Sequence, residues 1–145
     1  MSAPPFNDRD GHIWFDGEMV PWRDAKLHVL THALHYASSV FEGIRAYGGQ
    51  PFKLQEHSER FIASAQMLDM KLPYTADQIS QATLETVRAN NTSEGYIRPV
   101  AWRGSEEMGV PARSATIHVS IASWVWPQYF SLEARLKGIR LMMSK

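Results

Sequence analysis

An arginine and a phenol stand two residues apart in Tyr96-Ile97-Arg98-Pro99. On an extended strand alternate side chains share a face, so Tyr96 and Arg98 point one way and Ile97 the other. A guanidinium beside a phenol can clamp a carboxylate; the plainer alternative is a solvated sheet edge. Phe41, Gly43 and Arg45 alternate in the same way along residues 40–47. A glycine inside a strand marks a place where another group comes close to the backbone. Arg60 follows Glu56 by four residues, at the border of an apolar helical stripe. It is either a two-pronged anchor for a phosphate or the partner of Glu56, with its stem lying along the apolar edge. Residue types alone favour the pairing. His28, His32 and His35 have the spacing i, i+4, i+7. If their segment were helical, three imidazoles would share a face and could bind zinc. Histidines hydrogen-bonded within a turn are the favoured reading, because only Asp24 offers a nearby carboxylate, and no metal is assigned.

The elements that must position these residues can be read from patterning. Two β-prone runs flank Asp16-Gly17 between residues 12 and 20, a strong hairpin signature. Residues 24–36 are ambiguous: Leu27, Leu30 and Leu34 have helical spacing, but no clear cap precedes them. Residues 40–47 read as a strand, Gly48-Gly49 as its turn and 51–54 as the return. A helix over 55–70 gathers Phe61, Ala65, Leu68 and Leu72 into one stripe and stops before Pro73. A second helix opens on Thr75-Ala76-Asp77-Gln78, a capping box, and runs to Asn90-Asn91. Residues 95–102 and 115–125 read as strands around a loop at 104–113, the second of them largely apolar and poorly alternating over 114–122. Trp126-Pro127 ends that strand, 128–137 is a connector and 138–145 reads as a last strand. Segregated strands and helices predict an α+β fold, an antiparallel sheet with two helices on one face.

Composition bounds the function. A chain of 145 residues with 44% hydrophobic and 21% charged residues fits one globular domain. Fifteen basic residues balance fifteen acidic ones, which makes no case for nucleic acid or a membrane surface as partner. Without cysteine there is no disulfide framework and no thiolate metal site, in keeping with a cytoplasmic location. The first ten residues are polar and lack the apolar core of a signal peptide. No apolar run approaches the roughly 18 residues that cross a bilayer. The chain stops inside the apolar run 138–145, which raises the expectation of truncation.

Read together, Ile13 to Val20, His32-Ala33-Leu34-His35-Tyr36, Ser39 to Tyr47, Glu56-His57 with Arg60, and Tyr96-Ile97-Arg98-Pro99 resemble the class IV aminotransferases. Within that class the chain is similar to the branched-chain amino acid aminotransferases, colinearly from Ile13 to about Tyr129. Met108-Gly109-Val110, and Trp126 with Tyr129, fit the same pattern. The resemblance implies a small N-terminal domain at 1–127, an interdomain connector at 128–137 and the first strand of a missing larger domain at 138–145. It implies pyridoxal phosphate in the cleft between the two domains, held as a Schiff base by a lysine of the larger one. Lys145 comes too early to be that lysine, so no catalytic residue is assigned and the piece alone is expected to be inactive. By the same resemblance Arg60 binds the cofactor phosphate. Tyr36 and Phe41 wall the substrate side chain, and Tyr96 lies near the substrate carboxylate. Arg98 receives the side-chain carboxylate of glutamate, with Gly43 and Arg45 beside it. Tyr36 and Val110 reach into the partner's site of a homodimer or higher oligomer, and Trp126 and Tyr129 begin a loop over the substrate. The implied activity moves an amino group between leucine, isoleucine or valine and 2-oxoglutarate. A D-amino acid aminotransferase or aminodeoxychorismate lyase of the same class is the alternative, and a non-catalytic dimerisation or binding module a third. The runs at 41–45 and 96–99 favour the branched-chain type.

Overall fold

The computed structural model describes residues 4–126 and 130–144. In chain order the elements are β1 (His12–Phe15), β2 (Glu18–Pro21), α1 (His32–Tyr36), β3 (Ser39–Phe41), β4 (Ile44–Tyr47), β5 (Gln50–Pro51), α2 (Leu54–Met67), α3 (Ala76–Ala89), β6 (Gly95–Arg103), β7 (Ile117–Val125) and α4 (Leu132–Lys137). The strands form one sheet in the order β2-β1-β7-β6-β4-β5, with β3 also on β6. Every pairing is antiparallel, as the α+β expectation requires.

Local chemistry explains most of these elements. Asp16 and Gly17 take positive φ angles of 49° and 104°, the left-handed pair that a tight hairpin needs, and β1 folds onto β2 there. Thr75 and Gln78 close the capping box in both directions, at 3.2 and 2.9 Å, and start α3. Helices α2 and α3 bury Phe61, Ala65, Ile79, Ala82 and Val87 against Ile44, Ala46, Ile97, Ala101, Val119 and Ile121 of the sheet. The β7 strand, expected to alternate poorly, does alternate. Val119, Ile121 and Ser123 are buried under the helices, while His118, Ser120, Ala122 and Trp124 are half-buried on the opposite side.

Helix α2 ends earlier than its apolar spacing predicts. Leu68 lies past the helix and is 44% exposed, and the buried position goes to Met70, at 1%. The closure is local. Asp69 turns the chain at φ 52°, and the N–H groups of Asp69 and Met70 donate back to the Gln66 and Ala65 carbonyls, each at 3.0 Å, so those carbonyls no longer propagate the helix. Arg103, at the end of β6, then donates to the freed carbonyls of Leu68 and Asp69 at 3.0 and 2.9 Å.

Residues 24–36 begin at the end of a short 3-10 helix (Trp22–Asp24), run through irregular backbone with a turn at Val29-Leu30, and are α-helical only in α1. The connector region holds α4, opened by Ser131, whose hydroxyl accepts the Ala134 N–H at 3.2 Å. The strand expected over 138–145 is not formed. Residues 138–144 pair with no strand, and Leu141, Met142 and Met143 are 86, 98 and 96% exposed. No neighbouring strand offers them ladder hydrogen bonds. Lys145, Pro127, Gln128 and the candidate Tyr129 lie outside the described residues. No helix among the described residues is long and apolar enough to cross a membrane.

If the capping box holds α3 as the geometry implies, Thr75→Ala lowers stability by about 1 kcal/mol. Urea unfolding reads this as a lower midpoint at unchanged slope; an unmoved midpoint would show that packing alone sets the helix start.

Candidate functional site

The register of the central strands assembles the first group of candidates. Phe41 stands opposite Val100 and Ile44 opposite Ile97, so β3 and β4 continue one line along β6. Between them Glu42 donates its N–H to the Pro99 carbonyl at 3.0 Å. Proline has no N–H to return the bond, and the ladder is interrupted there. Alternation turns Glu42 into the molecule and Phe41, Gly43 and Arg45 to the face without helices. Tyr96 and Arg98 emerge on that same open face.

There the side chains converge. Arg98 Nη2 donates to the Tyr96 hydroxyl at 2.9 Å. The Arg98 guanidinium carbon lies 4.1 Å from the centre of the Phe41 ring and 5.2 Å from that of Tyr96. A cation over an aromatic face is attracted by the ring's negative centre. A Cβ at Gly43 would stand 2.1 Å from the Tyr96 hydroxyl oxygen, so only glycine leaves room for the phenol. Arg98 Nε is buried and has no hydrogen-bond partner among the described residues. A buried donor without an acceptor costs stability; the cation itself is offset by the two rings and the phenol. The Tyr96 ring also packs against Trp124 and Trp126, at 5.2 and 5.1 Å between centres. Arg45 pairs in register with Tyr96, but its guanidinium leans outward over Tyr47 at 5.7 Å.

Arg60 joins this group through a residue that sequence reasoning passed over. Its partner is Glu42, not Glu56; Lys53 takes Glu56 at 2.7 Å. Arg60 Nε and Nη2 donate to the two Glu42 carboxylate oxygens, each at 2.7 Å, and His57 Nδ1 donates to the same carboxylate at 2.8 Å. Burial pushes the Glu42 carboxyl up, but the hydrogen bonds from Arg60 and His57 outweigh it and hold the group below the usual carboxylate range. Glu42 is 5% exposed and the Arg60 side chain 65% exposed. Among the described residues Arg60 Nη1 has no partner. The alternation that placed Phe41 and Gly43 on one face could have placed Glu42 on the other, beneath the helix that carries Arg60.

A second group forms at the loop 104–116. Tyr36 stacks on His32 with centres 4.5 Å apart and donates its hydroxyl to the Met108 carbonyl at 3.1 Å. Val110 follows two residues later and is 76% exposed. Between this group and the sheet lies a cavity of about 320 Å³, lined by Phe15, Leu27, Leu34, Val100 and Trp102 among others. The histidines of the segment are each engaged in its turns. His28 Nδ1 accepts the Leu30 N–H at 3.1 Å, and His35 Nε2 donates to the Val29 carbonyl at 3.0 Å. His32 is bonded to Ser38 and Gly109. Among the described residues no three His, Cys, Asp or Glu side chains are placed to hold a metal.

Residues 39–144, which carry both the Phe41–Tyr96–Arg98 cluster and Arg60, match the amino-transferase class IV family. The chain belongs to that family. It is 50% identical over 141 residues to a branched-chain-amino-acid aminotransferase of Pseudomonas aeruginosa, covering 94% of this chain and 46% of the relative. It superposes on the crystal structure of the Escherichia coli branched-chain amino acid aminotransferase at a TM-score of 0.80 and 41% identity, covering 87% of this chain and 43% of that one. A structure of the T.th. branched-chain amino acid aminotransferase complexed with N-(5'-phosphopyridoxyl)-L-glutamate gives 0.77 at 44% identity, over 81% and 41% of the two chains. The chain thus spans less than half the length of these relatives.

The clearance at Gly43 makes a double-mutant test possible. Gly43→Ala should destabilise the chain, and by about 1 kcal/mol less when Tyr96→Phe has already removed the clashing hydroxyl. Equal losses in the two backgrounds, read by urea unfolding, would mean that the phenol does not set the need for glycine.

Proposed function

We propose that the protein containing this chain transfers amino groups between branched-chain amino acids and 2-oxoglutarate, with pyridoxal phosphate as cofactor. In this reading residues 1–127 are the small domain and 128–137 the connector. Residues 138–145 lead into a larger domain that carries the cofactor's lysine and supplies the strand partner that residues 138–144 lack here. The cofactor, when bound, supplies the electron sink that lets an amino group be exchanged. This chain supplies one wall of the pocket.

The observation that carries the proposal is the Arg98 guanidinium, held over the Phe41 ring and on the Tyr96 hydroxyl and paired with no carboxylate among the described residues. A transaminase of this specificity must admit an apolar side chain and an anionic one in the same place. Arg98 suits both. With a branched aliphatic substrate its charge rests on Tyr96 and on the Phe41 ring, so it is not left isolated. With glutamate its guanidinium meets the second carboxylate. Phe41, Tyr36, Val110 and Trp126 offer the apolar walls, and Gly43 and Arg45 flank the entry on β3 and β4. Tyr129 would extend the covering loop that Trp126 begins. Arg60 turns its unengaged Nη1 to the cofactor phosphate, and the Glu42 fork fixes the plane of the guanidinium. Tyr36 and Val110, outward-facing at the loop, serve the site of a second copy in a homodimer.

In the full-length protein, Arg98→Leu should lower kcat/KM for glutamate about a hundredfold and for leucine less than about fivefold. Parallel losses would remove Arg98 from its role. Arg60→Ala should raise the cofactor's Kd about tenfold or more and leave the leucine-to-glutamate preference unchanged. Undiminished cofactor affinity would refute the phosphate assignment.

A further inference from the structure

The apex of the loop 104–116 carries Val110 and is anchored in an unusual way. Glu106 accepts from the Thr116 N–H across its feet at 3.1 Å, and Arg103 of β6 donates Nη1 to the Ala112 carbonyl at 3.1 Å. The carbonyls just before Val110 are reached from one short helix. His32 Nε2 lies 3.1 Å from the Gly109 carbonyl, and Tyr36 donates to the preceding carbonyl, Met108. These two residues are one turn apart on α1, a helix of five residues without a side-chain N-cap. So short a helix has no stability of its own and takes its orientation from its contacts.

His32 supplies those contacts. It is 2% exposed, its N–H donates to the Gly104 carbonyl at 2.8 Å, and its ring stacks on Tyr36 at 4.5 Å. A carbonyl can only accept, so Nε2 must carry the proton; Nδ1, 2.7 Å from the Ser38 hydroxyl, is then the acceptor. His32 thus holds the foot of the loop through its backbone N–H, and through its imidazole the apex, Ser38 just past the helix and the face of Tyr36.

We infer that His32 is a specificity-determining positioning residue: it fixes the separation of Tyr36 from Val110 and so the width of the apolar side of the pocket. The inference rests on the proposed transamination of branched-chain substrates. His32 itself touches no substrate. Its influence falls on aliphatic side chains, because Tyr36 and Val110 stand on the loop and α1. Arg98 and Tyr96, which receive glutamate, stand on β6 and do not depend on the loop.

The test uses the full-length protein. His32→Phe keeps a ring for Tyr36 to stack on and deletes both side-chain hydrogen bonds. It should raise the KM for leucine about tenfold, with kcat and the KM for glutamate held within about twofold. The backbone amide of Ala112, hydrogen-bonded to the Gly109 carbonyl at 3.0 Å, should exchange with deuterium about tenfold faster. Thr75→Ala, which destabilises α3 far from the loop, is the control and should change neither ratio. An unchanged leucine KM with unchanged exchange overturns the inference. So does a rise for leucine and glutamate together, the pattern of a merely structural residue. If His32→Phe does not fold, Ser38→Ala decides: it strips the donor from Nδ1 and should raise leucine KM about threefold, and no rise overturns the inference. A wild-type protein without activity on leucine would sink the proposed function instead, and amide exchange would then decide for His32 alone.

Discussion

A carboxylate at 5% exposure in the middle of an interrupted strand is the constraint around which the site is arranged. Glu42 cannot stay ionised there without partners, because burial penalises the charged form. Arg60 and His57 of α2 provide them. The helix is thereby tied to the one place where the β3–β4 line breaks opposite Pro99. Once Glu42 is committed inward, strand alternation commits Phe41 and Gly43 outward. The phosphate-binding candidate and the substrate-binding candidates are therefore linked through adjacent residues of one strand, although they lie on opposite sides of it.

The two faces of the sheet divide the work. One is closed by α2 and α3 over Ile44, Ala46, Ile97, Ala101, Val119 and Ile121. The other keeps large side chains in partial contact with solvent: Phe41 at 60%, Tyr36 at 45% and Leu34 at 62% exposure. The closed face gives the strands a fixed register. That register then sets which residues meet on the open face, Arg45 beside Tyr96 and Phe41 beside Val100. A slip of one residue would send Arg98 into the core and Ile97 to the pocket. Hydrophobic burial on one side is what makes polar placement on the other dependable.

What could be read from the sequence follows the range of the interactions involved. The Asp16-Gly17 hairpin, the Thr75–Gln78 box and the shared face of Tyr96 and Arg98 depend on neighbours within four residues, and all three are present. The end of α2 rests on Asp69 in a left-handed conformation that glycine usually takes, with Arg103, about 35 residues away, holding the freed carbonyls, and apolar spacing overran it. The partner of Arg60 is 18 residues upstream, on the strand line beneath the helix, so the helical neighbour Glu56 was the nearer choice and only strand alternation pointed to Glu42. The histidines at i, i+4, i+7 had helical spacing on a segment that is helical only over His32–Tyr36, and each ring went to a different backbone or hydroxyl partner. The expected strand at 138–145 failed for a different reason. A strand is defined by its partner, and no stretch of apolar residues can supply one alone.

The two arginines of the site differ in how much charge they leave for a ligand. Arg60 has already given two nitrogens to a carboxylate, so the pair is close to neutral and what remains unengaged is the Nη1 group with its two N–H donors. A phosphate dianion needs more than that, and its further donors must come from groups other than Arg60. Arg98 faces no carboxylate among the described residues; its contacts are a phenol and two aromatic rings. Its full positive charge is still available, partly desolvated and already oriented. Of the two, Arg98 is therefore the one able to discriminate a substrate with a second carboxylate from one without. Arg60 is suited to fixing the position of a group whose charge is balanced elsewhere.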